Sequence, residues 1–364
     1  MSPVDQQSRR RIIRTGLTAL DEERACPGYT LYTPMYGPGE VYLIDLHGEE
    51  VHQWDLPYPP GLYGYLLPNG NLFYGGKVKD ETWDRFPAWK NFKGGVILEV
   101  DWNGNVLWEH HDQNHHHDAR RTPLGGAIYL TVEPVPAEVA AKVKGGVPGA
   151  DGDGMWADLI VEVDASGNRV WEWSAYQHLD FQKDVVTFND HRDEWSHGNT
   201  VVPLPDDRVM VSFRNLSTVG IIDKKSGDWV WRLGYETLAQ QHDPSMLPNG
   251  NILIYDNGTH RQHDPMPASR VIEVDPKTND IVWEYRDTPP HNFFSPYISG
   301  ARRLANGNTL ITEGMYGRMF QVTPDGDVVW EYINPRFHIN ANGAEVNWVF
   351  RANHYTAQEI PALG

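Results

Sequence analysis

At 364 residues, with 40% hydrophobic and 12% aromatic content, the chain is long enough for a sizeable core and ordinary for a globular protein. Forty-nine acids against 31 Lys and Arg give a formal charge of −18, which argues against nucleic acid or an anionic membrane as a partner through a general basic surface. A single cysteine, Cys26, excludes an internal disulfide and fits a reducing compartment.

Residues 1–27 are polar and carry the basic run Arg9, Arg10 and Arg11, so an arm or short helix outside the main domain is expected there. Asp21, Glu22 and Glu23 arrive before any apolar run of useful length. A signal peptide is therefore not expected, and nothing approaches the ~18 apolar residues of a membrane helix. The cytoplasm is the expected compartment.

From Gly28 to Gly364 the chain reads as one repeating domain. A turn of the type Leu67-Pro68-Asn69-Gly70-Asn71 recurs at Leu204-Pro205-Asp206-Asp207, Leu247-Pro248-Asn249-Gly250-Asn251 and Leu304-Ala305-Asn306-Gly307-Asn308. Between the turns lies a second unit ending in a strand such as Ile281-Val282-Trp283-Glu284-Tyr285. A β-rich repeat of roughly 40–45 residues is the signature of a propeller, and six units can be counted. Inner strand pairs are expected to begin near Gly64, Asp118, Thr200, Asp243, Gly300 and His354. The last unit is incomplete, while Tyr29 to Thr33 lacks a preceding strand, so the two termini are expected to complete one blade and close the ring. Trp54, Trp108, Trp171, Trp231, Trp283 and Trp330 recur in the outer strand and are read as packing between blades. Two insertions, 134–157 and 175–194, are expected to lie over one face.

Aligning the units on their turns superposes residues far apart in sequence. Six positions before the turn proline stand His117, Asn199 and His242, and His197 lies two before Asn199, on the same strand face. Arg214 ends its own inner strand pair, and Lys77 fills the matching slot of the first unit. His354 is taken to begin the last inner strand. These residues are expected to converge at one end of the channel, with Tyr63 and Tyr65 available to stack on an aryl ring.

The run Ser196-His197-Gly198-Asn199, the segment Val211-Ser212-Phe213-Arg214-Asn215 and the pair Gln241-His242 before the Pro-Asn-Gly turn resemble the bacterial arylsulfotransferases, propeller enzymes that move a sulfuryl group between phenols. The resemblance implies ping-pong transfer through a sulfohistidine without a cofactor. His242 matches the family nucleophile, and His197, Asn199 and Arg214 match the groups that hold the sulfuryl oxygens. His117 or His115 matches a further family histidine, and Thr356 a threonine of the last blade. A small aromatic substrate is implied. The well-studied members are exported and carry a disulfide, which this sequence does not supply.

Two other readings fit the same residues. In one, His117, His197, His242 and His354 hold a divalent transition metal ion in a lyase or hydrolase acting on a small aromatic or anionic metabolite. In the other, the propeller is a non-catalytic binding module. Assembly into a homo-oligomer is compatible with either.

Overall fold

A computed structural model describes residues 14–148, 154–261, 264 and 266–363. The turns set its geometry. In each Asn-Gly turn of the repeat the glycine takes a left-handed backbone, with φ of 83° at Gly70, 87° at Gly250 and 89° at Gly307, a conformation that costs glycine nothing. Where the sequence has Asp206-Asp207 instead, both aspartates adopt it, at 62° and 53°. The asparagine after the glycine also ties the blade together. Asn71 donates to Glu99 on the third strand at 2.7 Å, as Asn251 does to Glu273.

These turns organise six antiparallel sheets around a central channel, a six-bladed β-propeller. Blade 1 is Pro60–Leu66, Leu72–Lys77, Gly95–Val100 and Val106–His111. Blade 2 is His115–Arg121, Ala127–Val135, Met155–Val163 and Arg169–Ser174. Blade 3 is Gly198–Leu204, Arg208–Phe213, Thr218–Asp223 and Trp229–Leu233. Blade 4 is His242–Met246, Ile252–Asp256, Arg270–Asp275 and Asp280–Tyr285. Blade 5 runs Ser299–Arg303, Thr309–Glu313, Arg318–Val322 and Val328–Ile333. Blade 6 joins the C-terminal strand Val349–Tyr355 to Tyr29–Pro34, Glu40–Ile44 and Glu50–Asp55.

The expected N-terminal arm or helix is a strand in its described part; residues 1–13 lie outside the described residues. Gly16–Leu20 pairs with Val328–Ile333 as a fifth strand of blade 5. The outer strand it covers is buried throughout, whereas the outer strand of blade 4 is mostly exposed. Pairing removes an open edge, which is why a segment without strong strand character is held extended.

The middle strands of every blade bury both faces, so the core is divided into wedges. Ile128, Leu130 and Trp173 of blade 2 pack on Val201, Val211 and Phe213 of blade 3, and each other neighbouring pair of blades has its own cluster. The six outer-strand tryptophans link the wedges. The indole N–H of Trp54, Trp108, Trp171, Trp231, Trp283 and Trp330 donates to Asp101, Ala165, Lys224, Asn279, Pro324 and Leu46 respectively, at 2.8–3.0 Å. Each acceptor lies in the outer turn of the next blade, and the sixth bond returns to blade 6. Burial decides what these bonds contribute. Trp330 is 1% exposed, so Trp330→Phe should cost about 1–3 kcal/mol of stability. The same change at the partly exposed Trp231 should cost no more than about 1 kcal/mol, and denaturant midpoints of the two variants measure the difference.

Candidate channel-mouth site

The inner strands all start at one end of the channel, and several open with a bulge. His117, His197 and Asp243 hold left-handed backbone at φ of 50°, 51° and 55°, next to register shifts in blades 2, 3 and 4. A non-glycine residue in that region stores about 1–3 kcal/mol of strain, and such strain concentrates at functional sites. A bulge also re-aims the side chains beside it. Here it brings imidazoles of three blades together.

His117 and His197 meet edge to face with ring centres 4.8 Å apart. Phe92, from the short helix Trp89–Phe92 above blade 1, packs on both, stacking on His117 at 4.6 Å and meeting His197 at 4.7 Å. Phe350 of blade 6 lies against His117 and His242, at 6.0 and 6.2 Å. These rings belong to an apolar cap with Trp89, Tyr63, Ile298 and Met35.

Each imidazole is oriented by a partner. His242 Nδ1 lies 2.8 Å from Asn257 Oδ1, while the Asn257 amide donates to Ser295 O and Ser299 Oγ. The Asn257 oxygen is therefore the acceptor, Nδ1 carries the proton, and Nε2 keeps its lone pair. His197 Nδ1 lies 2.8 Å from Glu194 Oε2, which leaves its Nε2 free in the same way. Burial drives the pKa of His117 and of His242 well below the usual histidine value, with the nearby Arg351 charge adding to the effect, so both rings are neutral at pH 7. For His242 the Asn257 bond opposes the shift and Arg214 reinforces it.

The floor of the site is a buried ion network. Arg351, fully buried, reaches Asp118 at 3.1 Å and Asp243 at 3.1 Å, and donates to Tyr63 Oη, Asn199 O and Thr200 Oγ1. Arg302 and Arg120 flank the two carboxylates from below.

Of the residues expected at the mouth, His117, His197 and His242 come together, and Arg214 is close enough for its charge to act on His242. Arg214 is held by Asp190 at 3.0 Å and Gln240 at 2.9 Å. Asn199 is wholly buried; its amide donates to the Gln241 carbonyl and its oxygen accepts from Thr200, so it braces the strand entering His242. Tyr63 and Tyr65 form the wall lower down. Tyr63 Oη donates to Asp118 at 2.5 Å, and Tyr65 Oη accepts from Arg121 N. Lys77 sits beneath the short helix, donating to the carbonyls of Lys90 and Asn91 beside the Tyr36 ring, and burial lowers its pKa to about 8. His115 is buried two residues before His117 and lines, with Tyr63, Tyr65 and His117, a cavity of about 10 Å³.

Two residues stand elsewhere. His354 is the sixth residue of the strand Val349–Tyr355, at the opposite end of the channel from the cluster, packed on Gly28 and Cys26. Thr356 caps the short helix Ala357–Glu359, exchanging hydrogen bonds with Glu359. The four-histidine set expected as metal ligands is thus not assembled, and no group of three or more His, Cys, Asp or Glu able to hold a metal ion occurs among the described residues.

Described parts of the two insertions meet each other near His197 and Arg214. Gly145–Val147 pairs in parallel with Val186–His191, and the second segment supplies Asp190 and Glu194. Residues 149–153 lie outside the described residues. Asn257, Phe92, Phe350, Arg351, Asp190 and Glu194 had no place in the sequence reading. Only Glu194, three residues before His197, had a local signal.

The buried histidines also set a pH limit. His117 and His242 are depressed and His115 is pushed down to about 3, chiefly by burial. Below about pH 6.5 the unfolded chain binds protons that the folded chain does not, so stability falls as pH falls. Each such histidine adds about 1.4 kcal/mol per pH unit. Denaturant titrations from pH 7 to pH 5 should show a steep loss, and His115→Phe, if it is accommodated, should remove one proton from the slope.

A family model described as arylsulfotransferase (ASST) matches residues 88–335, a range that takes in His117, His197, Asn199, Arg214 and His242. No curated protein matches the chain. Among solved structures, a protein of unknown function from Bacteroides caccae is 13% identical, with 90% of this chain and 98% of that one covered and a TM-score of 0.54. Virginiamycin B lyase from Staphylococcus aureus is 12% identical over 89% of this chain and 92% of that one, at a TM-score of 0.47. The Bacteroides likeness speaks for the fold alone. The family match spans more than half of the sequence, and this chain belongs to the arylsulfotransferase family.

Proposed function

We propose that the chain transfers a sulfuryl group between phenols through a covalent adduct on His242. The observation that carries this reading is the neutral, buried His242 whose Nδ1 proton is held by Asn257, leaving Nε2 as a nucleophile at the channel mouth. Arg214 and His197 are the groups suited to bind the sulfuryl oxygens, where charge spreads in the transition state. His117 is placed to exchange a proton with the phenol oxygen. The rings of Phe92 and Phe350 supply apolar surface for the aryl group.

In the first half-reaction Nε2 attacks sulfur, the S–O bond to the aryl oxygen breaks, and the phenol leaves protonated. In the second, an acceptor phenol gives up its proton, attacks sulfur, and the S–N bond returns its electron pair to Nε2. With an aryl sulfate and no acceptor, the chain should release a burst of phenol equal to one per active site. Release without a burst, or none from any aryl sulfate, would sink the reading.

A further inference from the structure

Behind His117 lies a buried chain that the transfer scheme above leaves without a role. His117 Nδ1 is 2.7 Å from His116 Nδ1, and His116 Nε2 is 3.2 Å from Asp158 Oδ1. His116 and Asp158 are 0% and 1% exposed. The other Asp158 oxygen, Oδ2, accepts from Ser196 Oγ and from Gly198 N at 2.8 Å, so Oδ1 is left facing the imidazole alone. Among the described residues neither His116 Nε2 nor Asp158 Oδ1 has a hydrogen-bond partner, so this ion-pair contact is the polar contact each has. Trp89 and Phe92 close over His116 at 5.9 Å each, and Lys93, bridged to it through the backbone, has its ammonium on Asp80. Facing His117 are His197, His242 and the Arg351 charge.

Two Nδ1 atoms at that separation share one hydrogen, so the protonation of the rings is linked. We propose that His116 and Asp158 are a proton store for His117, supplying the proton that the leaving phenol takes in the first half-reaction and taking up the one that the acceptor phenol gives in the second. This rests on the sulfuryl-transfer reading above. In the loaded state His116 is an imidazolium beside the Asp158 carboxylate, and donates through Nδ1 to His117, which carries its own proton on Nε2. When the S–O bond breaks, the phenolate oxygen takes the Nε2 proton of His117. The His116 Nδ1 proton passes to His117 Nδ1, and neutral His116 keeps its Nε2–H towards Asp158. When the acceptor attacks, its O–H proton goes to His117 Nε2, the Nδ1 proton returns to His116, and the loaded state is restored. No proton crosses the apolar cap. His116 touches no substrate, so it and Asp158 are positioning residues.

The test compares leaving groups within one variant. Single-turnover phenol release is measured for His116→Gln and Asp158→Asn with 4-nitrophenyl sulfate, whose phenolate leaves unaided, and with 4-methylphenyl sulfate, whose phenolate needs a proton. Loss with the methylphenyl donor should exceed loss with the nitrophenyl donor by on the order of 100-fold. The ratio is independent of how much variant is folded. Equal losses with the two donors, against a wild-type chain that transfers from both, would overturn the proton store alone. A wild-type chain that transfers from neither would overturn the reading of function and the store with it.

Discussion

His242→Asn should abolish turnover with every aryl sulfate, a loss on the order of 10⁴-fold or more, because a covalent nucleophile has no substitute in the site. Asparagine is polar, smaller than histidine and able to meet Asn257, so the buried pocket stays hydrogen-bonded and the fold should survive. The variant should also fail to release the phenol burst. Asn257→Leu gives the matching intermediate result. His242 keeps its ring but loses the acceptor that holds its proton on Nδ1, so activity should fall by less than in His242→Asn, and the loss should lie in the rate of phenol release rather than in substrate affinity. Steady-state rates and single-turnover phenol release on the two variants are the measurements, and a His242→Asn chain with wild-type turnover would contradict the assignment.

Arg351→Met should be the most destabilising single change in the channel. The guanidinium is fully buried between Asp118 and Asp243 and makes three further hydrogen bonds. Its removal leaves two buried carboxylates short of a cation, which costs about 3–5 kcal/mol for a broken buried pair. The lower end is expected, because Arg120 still reaches Asp118 and Arg302 still reaches Asp243. The deficit should shrink in acid. Burial raises the Asp118 pKa, yet Arg120 and Arg351 together hold it below the usual value. A depressed carboxylate contributes stability above its unfolded pKa and loses it as pH falls through the folded value. Without Arg351 that contribution is smaller, so wild type and variant converge as pH drops. Adding Asp118→Asn and Asp243→Asn to Arg351→Met should recover part of the loss, since it is charge, rather than volume, that is left unpaired. Chemical denaturation at pH 7 and at pH 3, below the unfolded carboxylate pKa of about 3.9, measures both effects.

The repeat made the architecture legible. Turn glycines that need a left-handed backbone and outer-strand tryptophans that need a partner recur at fixed spacing, so their register places His117, Asn199 and His242 in equivalent positions of three blades, with His197 two residues before Asn199. The same logic misplaced His354. Blade 6 takes its second strand, Tyr29–Pro34, from the other end of the chain, so no Pro-Asn-Gly turn follows the last inner strand to fix its register. Asp190 and Phe92 were not legible because they come from a short strand and a short helix inserted between blade strands, outside the period, and Asn257 because it follows its strand Ile252–Asp256, where only the folded chain decides what meets an imidazole. Asp158 and His116 lie within the period. Their link depends on a bulge that turns adjacent residues to different partners, which spacing alone does not reveal.

The most direct measurement is a peptide-resolved mass of the protein after brief exposure to 4-nitrophenyl sulfate without acceptor, quenched at alkaline pH. Transfer through the channel histidine predicts a gain of one SO₃ unit confined to the peptide containing His242, lost again when a phenol is added. An unmodified chain that nevertheless turns over, or a sulfuryl group on any other residue, would contradict it.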